Sequence, residues 1–116
     1  MTLVLSAGCS TPNPDGIVQN GVESQMREKE KFTRACYDSE YKNIKPRPKG
    51  MLMMRITLNE DGDVRDIETL EDTFKNLRMA NCLKYIIKSI RFDRAGLTME
   101  TFVEYPFVFK GVQPQD

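Results

Sequence analysis

The chain has 116 residues, room for one domain, with 17 basic and 17 acidic side chains and a formal net charge of zero. That balance excludes a global basic field for nucleic acid. The lack of histidine removes the commonest general base and metal ligand, and no apolar run reaches the ~18 residues of a membrane-spanning helix. Three cysteines are an odd number, so one of them needs a separate role.

Residues 1–9, MTLVLSAGC, put a short apolar stretch and small residues directly before Cys9, with Ser10 after it. This is similar to the end of a bacterial lipoprotein signal, in which the cysteine is lipidated and becomes the first residue. It departs from that pattern at Ser6, where leucine is usual, and has no Lys or Arg ahead of the apolar stretch. The expectation is an anchor on Cys9; Ser10 points to the outer rather than the inner membrane by analogy with lipoprotein sorting. Residues 10–21, STPNPDGIVQNG, read as a flexible linker from their Pro, Gly, Ser and Asn content. The folded domain is expected over 22–111, with 112–116 as a polar tail.

From Val22 to Tyr41 there is no Pro or Gly, and Met26, Phe32, Ala35, Cys36 and Ser39 recur at helical steps, which predicts a first helix. The charge run Arg27–Lys31 reads as its solvated face. Residues 42–50, KNIKPRPKG, break it with two prolines and form an extended basic connector. Lys42, Lys45, Arg47 and Lys49 there could touch anionic headgroups, although a solvated loop is the simpler reading.

Between Met51 and Leu58 the chain alternates, with Leu52, Met54, Ile56 and Leu58 on one face and Arg55 and Thr57 on the other, as a strand requires. Asp61-Gly62 is a hairpin signal, because glycine tolerates positive φ. Val64, Ile67 and Leu70 follow at steps of three, which predicts a bulged or short second strand. The acidic residues around this turn do not form a calcium loop: counting back from Gly62, the first ligand position falls on Thr57.

Thr73 to Phe92 holds the strongest helical stripe, Met79, Cys82, Leu83, Ile86, Ile87 and Ile90, with Leu77 at its start and Asp72 or Thr73 as the cap. Met99 to Lys110 predicts a final strand in which Thr101, Val103, Tyr105, Phe107 and Phe109 share one face. Pro106 cannot donate to a ladder, which places this strand at a sheet edge or a bulge.

These elements assemble as an α+β two-layer domain in the order α-β-β-α-β. The expected sheet has three antiparallel strands in the order β2-β1-β3, with two helices on one face. Cys36 and Cys82 lie on the two helix stripes. A disulfide between them in an oxidising compartment would contribute up to about 4 kcal/mol; two buried free thiols in a cytosolic core are the alternative.

Taken together, Cys36-Tyr37, Gly50, Asp61-Gly62, Val64, Cys82, Arg91-Phe92 and Tyr105-Pro106-Phe107-Val108-Phe109 resemble the TonB carboxy-terminal fold. The resemblance is nearest to the AgmX/PglI carboxy-terminal family, runs from about Phe32 to Phe109, and departs at Asp93, where that family has proline. It implies a non-enzymatic domain of the periplasmic cell envelope, without metal or other cofactor. Such a domain binds an extended segment of an envelope protein by strand addition. The expected partner edge is Thr101, Phe102, Val103, Glu104 and Tyr105, with Phe102 as the exposed recognition residue. The membrane enters through the lipid anchor and nucleic acid does not enter. A second possibility is an accessory, pilot-like lipoprotein subunit of a motility or secretion assembly, using helix faces or the basic connector. Catalysis has no support, since neither Cys36 nor Cys82 has a histidine to activate it and no CxxC pair is present.

Overall fold

The computed structural model describes residues 14–93 and 95–111. The elements are α1 (Pro14–Glu28), α2 (Glu30–Tyr41), β1 (Gly50–Leu58), β2 (Val64–Asp72), α3 (Leu77–Lys88) and β3 (Thr101–Phe109). The sheet is antiparallel throughout, with strand order β2-β1-β3. Cys9 and the tail 112–116 lie outside the described residues.

β1 is the spine. Leu52, Met54, Ile56 and Leu58 are fully buried, while the alternate residues are half-buried on the uncovered face. Two register shifts against β1 leave Arg65 and Leu70 without a cross-strand partner; the first sets Val64 and Ile67 three apart opposite Leu58 and Ile56, whereas the second leaves Leu70, expected on the apolar rhythm, exposed. Each shift moves the next inward residue one place along the chain. The turn is closed from within. Asn59 Oδ1 accepts from the amides of Asp61 (2.9 Å) and Asp63 (3.0 Å), and Gly62 adopts φ +89°. A Cβ on Gly62 would stand 2.6 Å from the Phe92 carbonyl oxygen, and the Phe92 amide donates to the Gly62 carbonyl at 2.7 Å. The acidic turn therefore docks the exit of α3.

The helical layer differs from expectation in three ways. First, among the described residues it holds three helices rather than two. Residues 14–21 are helical, not linker: Pro14 occupies the first helical position, where its missing amide costs nothing, and Val18 and Val22 are buried. The expected linker bounds therefore fail over this stretch. Second, the helix expected from Val22 to Tyr41 is interrupted at Lys29 (φ −103°, ψ 11°). No Pro or Gly causes this. α1 is tied to the exit of α3 by Gln25 Nε2 on the Arg91 carbonyl at 2.8 Å, whereas α2 is tied to α3 itself by the Cys36–Cys82 bond, so the two segments have separate attachments. Third, α3 begins at Leu77, capped by Asn76, whose side chain accepts from the Met79 amide at 3.0 Å. Asp72 instead accepts from the amides of Phe74, Lys75 and Asn76, which shapes the preceding turn. Leu77, expected on the apolar stripe, is exposed, and so is Phe32.

Cys36 and Cys82 form a disulfide joining α2 to α3, with Cα atoms 5.8 Å apart. Beside it an aromatic cluster closes one end of the core. Tyr37 is fully buried and stacks on Phe109 with ring centroids 4.6 Å apart, and Tyr41 and Phe74 pack around the pair. The Tyr37 hydroxyl donates to the Pro48 carbonyl at 2.7 Å. Arg47 is drawn into the same cluster, donating to Asp38 at 2.6 Å with its guanidinium 5.8 Å from the Tyr37 ring centroid. One of the four cations of the basic connector is thus committed to the fold and unavailable to a surface.

Candidate interaction edge

β3 forms one outer edge of the sheet, pairing only with β1 among the described strands. Its inward face follows from the alternation: Val103, Phe107 and Phe109 are buried, and Tyr105 is half-buried against the core. Burial raises the Tyr105 hydroxyl above its ordinary range, and the Glu23 carboxylate adds to the shift. Phe102 and Val108 face the other way and are 69% and 58% exposed.

The direction of the backbone groups matters more than the side chains. The Glu104 carbonyl accepts from Gln19 Nε2 of α1 at 3.4 Å, so it points away from β1. In an antiparallel ladder the backbone groups of alternate residues share a side, so those of Phe102, Pro106 and Val108 point outward as well. Pro106 therefore lacks its N–H where β1 does not need one, and the register runs unbroken through the Met53–Pro106 pair. This is why a proline is tolerated inside a nine-residue strand.

The five residues expected at the edge, Thr101, Phe102, Val103, Glu104 and Tyr105, form the first half of β3. Beside them runs α1, through the contact from Gln19. The second half borders a groove of about 340 Å³ lined by Tyr105 to Phe109 on one side and by Met26, Arg27, Glu30, Thr33 and Arg34 on the other. This groove is not legible from local patterning, because its helical wall is built at the α1–α2 break. On the uncovered sheet face Arg55 bridges Glu104 (3.4 Å) on β3 and Glu68 (3.6 Å) on β2. These pairs are exposed and worth little for stability, but they fix the pattern of charge that a partner would meet.

Among the described residues no cluster of three or more His, Cys, Asp or Glu side chains converges as for a metal ion. No helix among them is long and apolar enough to cross a membrane. Compared with protein-family models, with curated proteins and with solved structures, the chain finds no match. The TonB-like resemblance therefore rests on its own residues.

Proposed function

We propose that this protein is a non-enzymatic interaction module of the bacterial cell envelope, which binds an extended segment of another envelope protein by strand addition along β3. The observation that carries this reading is the outer edge of β3, where Phe102 is exposed and alternate backbone groups face away from β1; the Glu104 carbonyl among them accepts from Gln19 of α1, a contact that a partner strand would displace. Backbone hydrogen bonds would supply affinity, and side chains at alternate positions specificity. The groove beside Tyr105 to Phe109 extends the surface and would receive the partner's side chains. The disulfide is consistent with an oxidising compartment, here the periplasm. A lipid on Cys9 would hold the domain at the membrane, the outer one in this reading.

Phe102→Asp tests the assignment. Phe102 makes little core contact, so the variant should melt at nearly the same temperature as the parent while losing its partner in a pull-down from solubilised envelope. A variant that keeps its partner would remove Phe102 from the interface, and one that unfolds would show that the two faces of β3 are misassigned.

A further inference from the structure

Zero net charge conceals a division between the two layers. From Glu60 to Asp72 the hairpin carries seven carboxylates and one cation, Arg65. Helix α3 carries Arg78, Lys84 and Lys88 and no carboxylate at all. The helical layer is thus cationic along α3, and the sheet is anionic along β2.

The α2 face next to α3 continues the pattern. The two helices run antiparallel: Asn76, at the start of α3, donates to Glu40 and Tyr41 at the end of α2, both at 3.0 Å, and Cys36 is joined to Cys82 further along. That places Phe32 level with the last turns of α3, where Tyr85 projects. Phe32 is 48% and Tyr85 79% exposed. The ammonium groups of Lys29 and Lys31 lie 5.6 and 5.7 Å from the Phe32 ring centroid. Of the α2 carboxylates, Asp38 is drawn to Arg47 and Glu30 lines the β3 groove, while Glu40 stays at the start of α3, accepting from Asn76 and standing 3.9 Å from Arg78, so Lys84 and Lys88, further along α3, carry the charge of this face.

We infer that this outer α2–α3 face docks on an anionic lipid bilayer. Cations alone would suit any acidic partner. Two exposed aromatic rings set among lysines on neighbouring helices suit a headgroup layer, where rings sit at the interface and ammonium groups reach phosphates. The tip of the acidic hairpin meets the exit of α3 at the rim of this face, where Asp63 lies 3.5 Å from Arg91, so that carboxylate has a cation of its own beside it. The inference stands independently of strand addition.

The test uses the full chain with its disulfide intact and Cys9→Ser, so that no acyl anchor contributes. Flotation is measured with vesicles of equal phosphatidylglycerol and phosphatidylcholine, and with phosphatidylcholine alone. Binding should appear only on the anionic vesicles and weaken with salt. The pair Lys84→Gln and Lys88→Gln should weaken it roughly 25-fold, at about fivefold per cation. Phe32→Ser with Tyr85→Ser should weaken it at constant charge, which pure electrostatic attraction would not produce. Matched melting curves keep loss of fold apart from loss of binding. Absence of binding to anionic vesicles, equal binding to neutral ones, or an unchanged affinity in the lysine pair overturns the inference. Tighter association with soluble polyglutamate than with vesicles overturns it too, in favour of an acidic protein.

Discussion

Removing the Cys36–Cys82 disulfide is expected to lower the unfolding free energy by about 4 kcal/mol. The bond closes a loop of 46 residues that contains the connector, the whole β1–β2 hairpin and the first half of α3, so the denatured chain loses much conformational freedom through it. A domain of this size has a total stability on the order of 5–15 kcal/mol, and the loss is a large part of that. Cys36 is buried, whereas Cys82 sits on the exposed side of α3, so Cys36→Ala also removes packing and Cys82→Ala does so to a lesser degree. Urea unfolding of oxidised and reduced protein gives the cleaner comparison, because reduction changes no side-chain volume beyond the bond itself. The reduced midpoint should fall steeply. Equal midpoints would mean that packing between α2 and α3 holds the layer without the covalent tie.

The second large effect belongs to Tyr37. Its ring holds together four parts of the chain: α2, the connector through Pro48, the end of β3 through Phe109, and the turn before α3 through Phe74. Tyr37→Ala leaves a ring-sized cavity and removes the donor to Pro48, and should cost about 3–5 kcal/mol. Tyr37→Phe keeps the ring and loses only the hydroxyl, for about 1 kcal/mol. The hydroxyl also makes a pH prediction. Burial raises its pKa above that of a free tyrosine, against the opposing pull of Arg47. The folded state then holds the proton more tightly than the unfolded chain does. Stability should be unaffected below the ordinary tyrosine range near pH 10 and fall as pH rises beyond it. Tyr105 shifts the same way and adds to the fall. Thermal melts across pH 8–11 should show the decline, reduced in Tyr37→Phe. A decline of equal size in that variant would assign it to other groups.

Much of the architecture was legible because the relevant signals are local. The alternation from Met51 to Leu58, the Asp-Gly turn and the stripe of Met79, Leu83 and Ile87 each follow one period, and the sheet order follows from linking them. The disulfide was legible because one cysteine fell on each of two expected helices, although Cys82, read on the apolar stripe, sits on the exposed side of α3. What escaped reading depends on contacts distant in sequence. The helix from Pro14 looks like linker until Val18 and Val22 find a core to enter. The break at Lys29 has no local breaker and lies between two separate attachments, Gln25 to the exit of α3 and Cys36 to α3 itself. Asn76 caps α3 because Asp72 is already engaged by three amides of the preceding turn. At the candidate edge, alternation was enough to place Phe102 outward and Val103 inward. Arg47, by contrast, reads as a solvated connector cation and is a buried partner of Asp38. The division of charge between layers appears only once hairpin and helix are set against each other.

The central claim, that a partner strand adds to β3, is tested most directly by backbone amide exchange along that strand. In the free domain the amides of Val103, Tyr105 and Phe107, which face β1, should exchange slowly, and those of Phe102 and Val108, which face outward, should exchange fast. Adding the partner segment recovered by pull-down should slow Phe102 and Val108 while leaving the β1-facing set unchanged. A bound complex in which both outward amides still exchange freely would contradict strand addition.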